Sequence, residues 1–453
     1  MSATTPPETT TLPLLRGNSI SLEDALDEDE NILRRLDYPQ QQKVFGAYLT
    51  SRKTDIEALV CFHLRVNSCQ VADESDWLYG SYNVCISVSL PSDDRVLVRI
   101  PLPYKVGEIE SPGNVNEKLR CEVATYIWIR QNCPTVSIPS LYGFGFPNGP
   151  VQVRSWLGLP TCPYVATSHR GALSTGYMII SFVTQGRMLS ETFAEYLLDD
   201  QTRRLNLFND LTKIILSLKQ RQLPSIGSLT FEDDGSIHPK NRPLTLQIQS
   251  LENEGIPPIP RETTYQSIEP YLLDLLQCHD NRIHYQPNSI HNLKDGREQF
   301  AALTMMRGLL HQFVSRQYRN GPFVLTLTDL HPSNIFVDDN WHITSLIDLE
   351  WACSLPIEMQ TAPYWLSGCA IDTTPQGPHL NRFTKFMTEY INAFTQQEAY
   401  FEAFGIFKPL TPKGLLRVFN QHIQRRFCEE HCTQSIFDRI VSPYWGIDAE
   451  GLI

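Results

Sequence analysis

The chain has 453 residues, and its 38 Lys and Arg against 50 Asp and Glu leave a formal net charge of −12. At about three times an ordinary domain length it has room for two lobes and a large core. With 42% hydrophobic and 19% charged residues it is too apolar for a disordered chain and too polar for a helical membrane bundle. The acidic balance argues against non-specific binding to nucleic acid or an anionic membrane, which needs a basic face; it suits a cationic small molecule. The Thr/Pro-rich start has no basic residue before Arg16 and lacks the regions of a secretion signal. No stretch approaches the ~18 apolar residues of a membrane span, so the expected location is cytoplasmic. The eleven cysteines lie mostly in apolar surroundings such as Val84-Cys85-Ile86 and read as small buried hydrophobes rather than a disulfide framework. Cys428, His431 and Cys432 have the spacing of one helix face, but no second ligand pair accompanies them.

In chain order, residues 1–20 read as a flexible tail. Ser21-Leu22-Glu23-Asp24 is close to a capping box and opens a helical extension reaching about residue 70. A sheet lobe is expected over 71–183. Val84, Ile86 and Val88 share one face, Pro91-Ser92-Asp93-Asp94 is a turn, and Val96, Val98 and Ile100 return along the same face. A helix carrying Glu122, Val123, Ile127 and Trp128 follows, then a glycine-broken strand through Leu141 to Gly145 and a strand over 177–183. From 184 to 453 the apolar period is helical, as in Leu207, Phe208, Leu211, Ile214 and Leu218. A Pro/Gly-rich insert occupies about 223–265, and further helices are expected at 267–278, 296–318 and within 380–442. An antiparallel sheet lobe followed by a helical lobe is an α+β plan with a cleft between.

The chemistry concentrates between Leu325 and Glu350. Ile335 to Val337 and Trp341 to Ile347 read as strands joined by an Asp338-Asp339-Asn340 turn. The chain therefore doubles back and brings Asp348 near the loop of Asp329 and Asn334. Asp and Asn oxygens suit Mg²⁺, which binds phosphates together with one or two carboxylates. Asp329 is then free to accept the proton of an attacking hydroxyl, and the set is that of phosphoryl transfer.

Asp329-Leu330-His331-Pro332-Ser333-Asn334 followed by Ile347-Asp348-Leu349-Glu350 resembles the catalytic loop and metal motif of the aminoglycoside phosphotransferase family, itself similar to choline kinases; fungal-type members are the nearest. The resemblance spans about residues 75–440. It implies a protein-kinase-like bilobal fold, with an antiparallel β N-lobe bearing one helix and a mainly helical C-lobe. It also implies ATP as donor, Asp329 as catalytic base, and Asn334 and Asp348 as Mg²⁺ ligands. Trp77 to Val84 is similar to the family's nucleotide-covering turn, which puts Gly80, Ser81 and Asn83 at the phosphates. Arg99 stands where the phosphate-binding lysine is expected, with Glu122 as its helix-borne partner. Ser181-Phe182-Val183 resembles the hinge, Ser181 and Val183 offering backbone to adenine.

Three features depart from that pattern. Leu327 replaces a loop-orienting histidine, Arg99 replaces lysine, and the phosphate turn has a single glycine. His-Arg-Asp, Asp-Phe-Gly and Ala-Pro-Glu triplets are missing, so the expected acceptor is a small molecule with a hydroxyl rather than a polypeptide. The departures leave a second reading, a kinase-fold binding or regulatory protein with little catalysis.

Overall fold

The alternation of small apolar residues decides the first lobe. In the computed structural model, which describes residues 11–28, 30–155, 163–168, 173–360, 362–368 and 377–403, Val84, Ile86, Val88, Val96, Val98 and Ile100 all lie buried on one sheet face. They belong to β5 (Asn83–Ser89) and β6 (Arg95–Pro101), which pair antiparallel in register. Residues preceding this hairpin form β1 (Thr11–Pro13), β2 (Ser19–Ser21), α1 (Leu22–Asp27), α2 (Ile32–Ser51), α3 (Lys53–Leu64), β3 (Gln70–Val71) and β4 (Leu78–Tyr79). Ser21 caps α1 as its sequence predicts, its hydroxyl accepting from the Asp24 amide at 3.1 Å. Residues 11–21 differ from the expected tail: β1 and β2 pair, and the Arg16 guanidinium donates to the Tyr79 carbonyl at 3.2 Å.

After β6 come α4 (Asn114–Asn132), β7 (Leu141–Gly145), β8 (Val151–Arg154), β9 (Tyr164–Thr167) and β10 (Tyr177–Ser181). The sheet order is β3-β5-β6-β10-β7-β8-β9, with β4 on β5. Its two faces are covered differently. Leu49, Ile56, Leu59 and Val60 of α2 and α3 pack on the Val84–Ile100 face, whereas Leu119, Val123, Tyr126 and Ile127 of α4 pack with Met178, Ile180 and Phe144. Because successive strand residues point to opposite faces, Arg99, flanked by Val98 and Ile100, is delivered to the α4 side.

The second part of the chain contains β11 (Arg187–Met188), α5 (Phe193–Tyr196), α6 (Gln201–Lys219), β12 (Gln222–Leu223), β13 (Ser228–Phe231), β14 (Ile237–Asn241), α7 (Leu246–Asn253), α8 (Ile268–Tyr285) and α9 (Leu293–Phe313). It continues with β15 (Phe323–Leu327), β16 (Ile335–Val337), β17 (Ile343–Leu346), β18 (Ala352–Pro356) and α10 (Gly377–Ala403). Helices α6 and α10 bury Leu207, Phe208, Leu211, Phe386, Tyr390 and Phe394 against each other. The architecture is therefore mixed α and β, an antiparallel sheet lobe with helix α4 followed by a mainly helical lobe, the bilobal kinase-like plan. Residues 223–265 fold as the β13–β14 hairpin and α7 around buried Arg242, which forks to Glu117 of α4 and Glu252 at 2.7 Å each. Among the described residues no helix is long and apolar enough to cross a membrane. Cys428, His431 and Cys432 lie outside the described residues.

Candidate active site

Two strand pairings force the chemistry-bearing loops together. Residues 328–334 leave β15 and enter β16, and residues 347–351 leave β17 and enter β18. Since β15 pairs with β18 and β16 with β17, both loops run side by side, joined by the Ile347 amide donating to the Asn334 carbonyl at 3.0 Å. Asp348 turns the chain there with φ 56°, a left-handed conformation in which Asp is among the better tolerated side chains.

Asn334 is buried, and its amide nitrogen donates to the Asp329 carbonyl at 2.9 Å and toward the Asp329 carboxylate at 3.4 Å. That fixes which end of the amide is oxygen and turns Oδ1 away from Asp329. His331 accepts from the Ser333 amide through Nδ1 at 3.3 Å, and its Nε2 stands 3.8 Å from Asp329 Oδ1. Burial pushes the Asp329 carboxyl up to about 6, the Glu350 and Asp348 charges acting in the same sense and His331 against them. Such a value lies close to the working range of a general base.

The loop lacks the expected histidine at 327, and other groups hold it. Leu327 packs against the main core, the Thr328 hydroxyl donates to the Trp351 carbonyl at 2.5 Å, and buried Trp365 donates from Nε1 to the Leu330 carbonyl at 2.7 Å. Trp365 is thus a support of the loop, while its neighbour Tyr364 is exposed.

Opposite the loops, Arg99 spans the cleft. Its Nε lies 3.0 Å from Glu122, one terminal nitrogen 2.6 Å from Asp348 and the other 2.7 Å from Glu350. A planar guanidinium can serve three carboxylates at once, which a lysine ammonium at the same place could not do with this geometry. Lys118, one helical turn before Glu122 and fully buried, lies 2.6 Å from Glu350, 2.8 Å from Asn83 Oδ1 and 3.4 Å from Glu122. Asn83 in turn donates to Glu350 at 2.6 Å. Burial opposes charge on Arg99, but Asp348, Glu122 and Glu350 hold its pKa well above the ordinary value. Burial likewise raises the Glu122 carboxyl. It would raise Glu350 too, yet Lys118 and Arg99, with hydrogen bonds from Lys118 and Asn83, bring that carboxyl down to about 2.

Of the residues singled out from the sequence, Asp329, Asn334, Asp348, Arg99, Glu122 and Asn83 form one connected set. Asn83 enters it as a partner of Lys118 and Glu350, its side chain turned into the ion cluster rather than to an open turn. Gly80 and Ser81 lie in the exposed β4–β5 turn, where the Gly80 amide donates to the Asn83 carbonyl at 2.8 Å. Ser181 closes onto residue 140: its amide donates to the Ser140 carbonyl and its hydroxyl accepts from the Ser140 amide, each at 2.9 Å. Phe182 beside it lies under the Arg95 guanidinium at 4.1 Å. Val183 follows, half-buried, and no hydrogen bond among the described residues uses its backbone. Gly80 is joined to the cluster only through the backbone of Asn83, and no hydrogen bond or ion pair among the described residues links Ser81, Ser181 or Val183 to it. Lys118 and Glu350 have structural roles that sequence reasoning left unassigned. For Lys118 the available signal was a lysine four residues before Glu122 on α4, the spacing of a helical ion pair.

The donor set fits a hard divalent ion. Asp348 Oδ2 and Asn334 Oδ1 have no protein partner among the described residues, and an amide plus a carboxylate is enough for Mg²⁺, which keeps waters and takes phosphate oxygens. No group of three or more His, Cys, Asp or Glu side chains suited to a metal occurs among the described residues, so these residues supply only part of a coordination shell.

No family model matches the sequence, and no curated protein does. Solved structures with similarity include a macrolide 2'-phosphotransferase type I, at 9% identity over 85% of this chain and 88% of that one, TM-score 0.33. An amicoumacin kinase in complex with AMP-PNP and Ca²⁺ aligns at 11% identity over 79% and 88%, TM-score 0.37. A macrolide 2'-phosphotransferase from Brachybacterium faecium aligns at 11% over 78% and 92%, TM-score 0.29.

Proposed function

We propose that the protein is an ATP- and Mg²⁺-dependent phosphotransferase acting on a hydroxyl of a small molecule. The observation that carries this reading is the continuous set Asp329, Asn334, Asp348, Arg99 and Glu122, in which a raised carboxyl faces a hard-ion ligand pair and a guanidinium oriented from helix α4. Asn334 and Asp348 would hold Mg²⁺, which neutralises phosphate charge when bound. Arg99, steadied by Glu122, would turn the terminal nitrogen now on Asp348 to a phosphate oxygen once Asp348 takes the metal, a pairing that guanidinium makes well. The Val183 backbone, which no hydrogen bond among the described residues uses, would bind an adenine edge at the hinge. Asp329, its carbonyl and carboxylate oriented by Asn334, accepts the proton of the acceptor hydroxyl. The resemblance of the 329–350 segment to fungal-type aminoglycoside phosphotransferases agrees with this reading, and the net charge suits a cationic acceptor.

A second reading rests on one contact. Arg99 and Asp348 pair directly at 2.6 Å, so the phosphate anchor and the metal ligand occupy each other, as in a kinase-fold protein that binds without turnover. One experiment separates the two. ADP release is measured with Mg-ATP over a panel of amino alcohols and aminoglycosides, for the wild type and for Asp329→Asn. Acceptor-dependent release that falls about 10²–10⁴-fold in the variant, with nucleotide affinity kept, supports the enzyme. Nucleotide binding with no Asp329-dependent transfer to any acceptor supports the binding protein.

A further inference from the structure

Two cysteines at the end of the helical extension lie sulfur to sulfur. Cys61, in the last turn of α3, places its Sγ 3.5 Å from that of Cys69, and the Cys69 thiol in turn donates to the Glu57 carbonyl at 3.4 Å. The local fold brings them together. Helix α3 stops where Arg65 takes φ 57°, and the Val66 amide folds back on the Cys61 carbonyl at 3.2 Å. Glu57 then fastens the returning segment, its carboxylate accepting from the Val71 amide of β3 at 3.1 Å. Among the described residues no other hydrogen bond joins two thiols: Cys121, Cys133, Cys278 and Cys353 are buried, and half-buried Cys85 has the Arg99 guanidinium at 3.8 Å. Cys61 and Cys69 are also half-buried, and Arg65, Asn67, Ser68 and Gln70 around them are exposed, so a small reagent can approach.

We infer that Cys61 and Cys69 form a modification site, which reacts with a low-molecular-weight disulfide and closes to a disulfide within the chain. A disulfide bond is about 2.05 Å long, so the two sulfurs have roughly 1.5 Å to close. The attacking species in thiol–disulfide exchange is the thiolate. Burial, with Cys61 itself acting in the same sense, pushes the Cys69 thiol up to about 12, so Cys61 opens the exchange. Its thiolate attacks one sulfur of the small disulfide, whose S–S bond breaks and releases one small thiolate. Cys69 then gives its proton to solvent and attacks Cys61 Sγ, releasing the second. Two protein thiols and one small disulfide thus become one protein disulfide and two small thiols. The new bond ties α3, which packs on the Val84–Ile100 face, to the residue before the edge strand β3. No residue of the candidate active site takes part, so the inference does not depend on the phosphotransferase reading.

The test uses the full-length chain, reduced, freed of reductant and incubated with oxidised glutathione while circular dichroism follows its helical signal. The sample is quenched in acid, alkylated in denaturant and digested with trypsin. The expected result is a linkage between peptides 54–65 and 66–95, assigned by fragmentation to Cys61 and Cys69, reversed by dithiothreitol and absent from Cys61→Ser. In Cys69→Ser the exchange stops halfway, and glutathione stays on Cys61. The inference is overturned by a folded wild type without that linkage, by pairing of either cysteine with a different one, by glutathione left on Cys61 of the wild type, or by a linkage that forms only after the helical signal is lost. Should a serine variant not fold, the wild-type linkage alone decides.

Discussion

Replacing Arg99 by Met removes the guanidinium while keeping an unbranched apolar side chain on β6. Its partners Glu122 and Glu350 are almost fully buried, and Asp348 is about one-third exposed. Breaking a buried ion pair by deleting one partner costs about 3–5 kcal/mol. Lys118 remains within 2.6 Å of Glu350 and 3.4 Å of Glu122, and Asp348 can turn to solvent, so the lower end applies: about 3 kcal/mol at pH 7, or roughly 150-fold in the unfolding constant. The loss depends on pH with a definite sign. Glu122 is already raised by burial, and without Arg99 it rises further, so the folded variant takes up a proton at a pH where the unfolded chain does not. The variant therefore recovers stability as pH falls toward the unfolded glutamate value of about 4.3. In the wild type, Glu350 at about 2 stabilises the fold above the unfolded value and loses that contribution as pH drops through the folded one. The gap between the two proteins must narrow on acidification. Urea unfolding followed by circular dichroism at pH 7 and pH 5 measures it. A loss below about 1 kcal/mol at pH 7, the range of an exposed pair, or a gap that widens at pH 5, refutes the account of the network.

On the phosphotransferase reading, Asp329, raised to about 6 chiefly by burial, is expected to give kcat/KM an acid limb near that pH, falling about tenfold per unit below it. His331→Gln removes a charge that opposes the rise and moves the limb upward; a flat profile from pH 4 to 8 is the contrary result. In stability the sign is opposite, because a carboxyl raised in the folded state favours folding below its unfolded value and loses that contribution as pH rises through about 6. Trp365→Phe keeps an aromatic ring in the core but deletes the hydrogen bond to the Leu330 carbonyl, worth about 1 kcal/mol, on top of the cost of the smaller ring. Turnover is expected to fall with nucleotide affinity kept, and amide exchange in residues 330–334 to quicken; unchanged exchange would contradict the support role.

How much of this the sequence carried follows from the range over which each contact acts. Asp329, Asn334 and Asp348 fall within one strand-turn-strand segment, so the turn alone implies their proximity and no distant part of the chain is needed. The inward stripe of Val84, Ile86, Val88, Val96, Val98 and Ile100 is equally local, since a hairpin with period two has only one way to bury it. The Arg99–Glu122 pair was legible only through resemblance, because β6 and α4 meet by packing on a shared sheet face. Lys118 and Glu350 are the instructive misses. Their contact joins α4 to the segment after β17, and a buried ion pair between remote segments leaves no periodicity behind.

The 223–265 insert was opaque for a related reason. Its prolines and glycines announce turns, but what orders them is Arg242, whose partner Glu117 belongs to another element. That same bond has a consequence for the site. Glu117 lies one residue before Lys118 and five before Glu122 on α4, and Arg261 also reaches Glu117, at 3.1 Å. Arg120 of the same helix bonds the Phe231 carbonyl at 2.6 Å. Helix α4 is thus anchored from the insert by three arginine contacts on the turn that carries its ionic residues. A shift of α4 would have to break those contacts before Glu122 could leave Arg99, so the segment least readable in the sequence is what fixes the orientation of the residues that were read most easily.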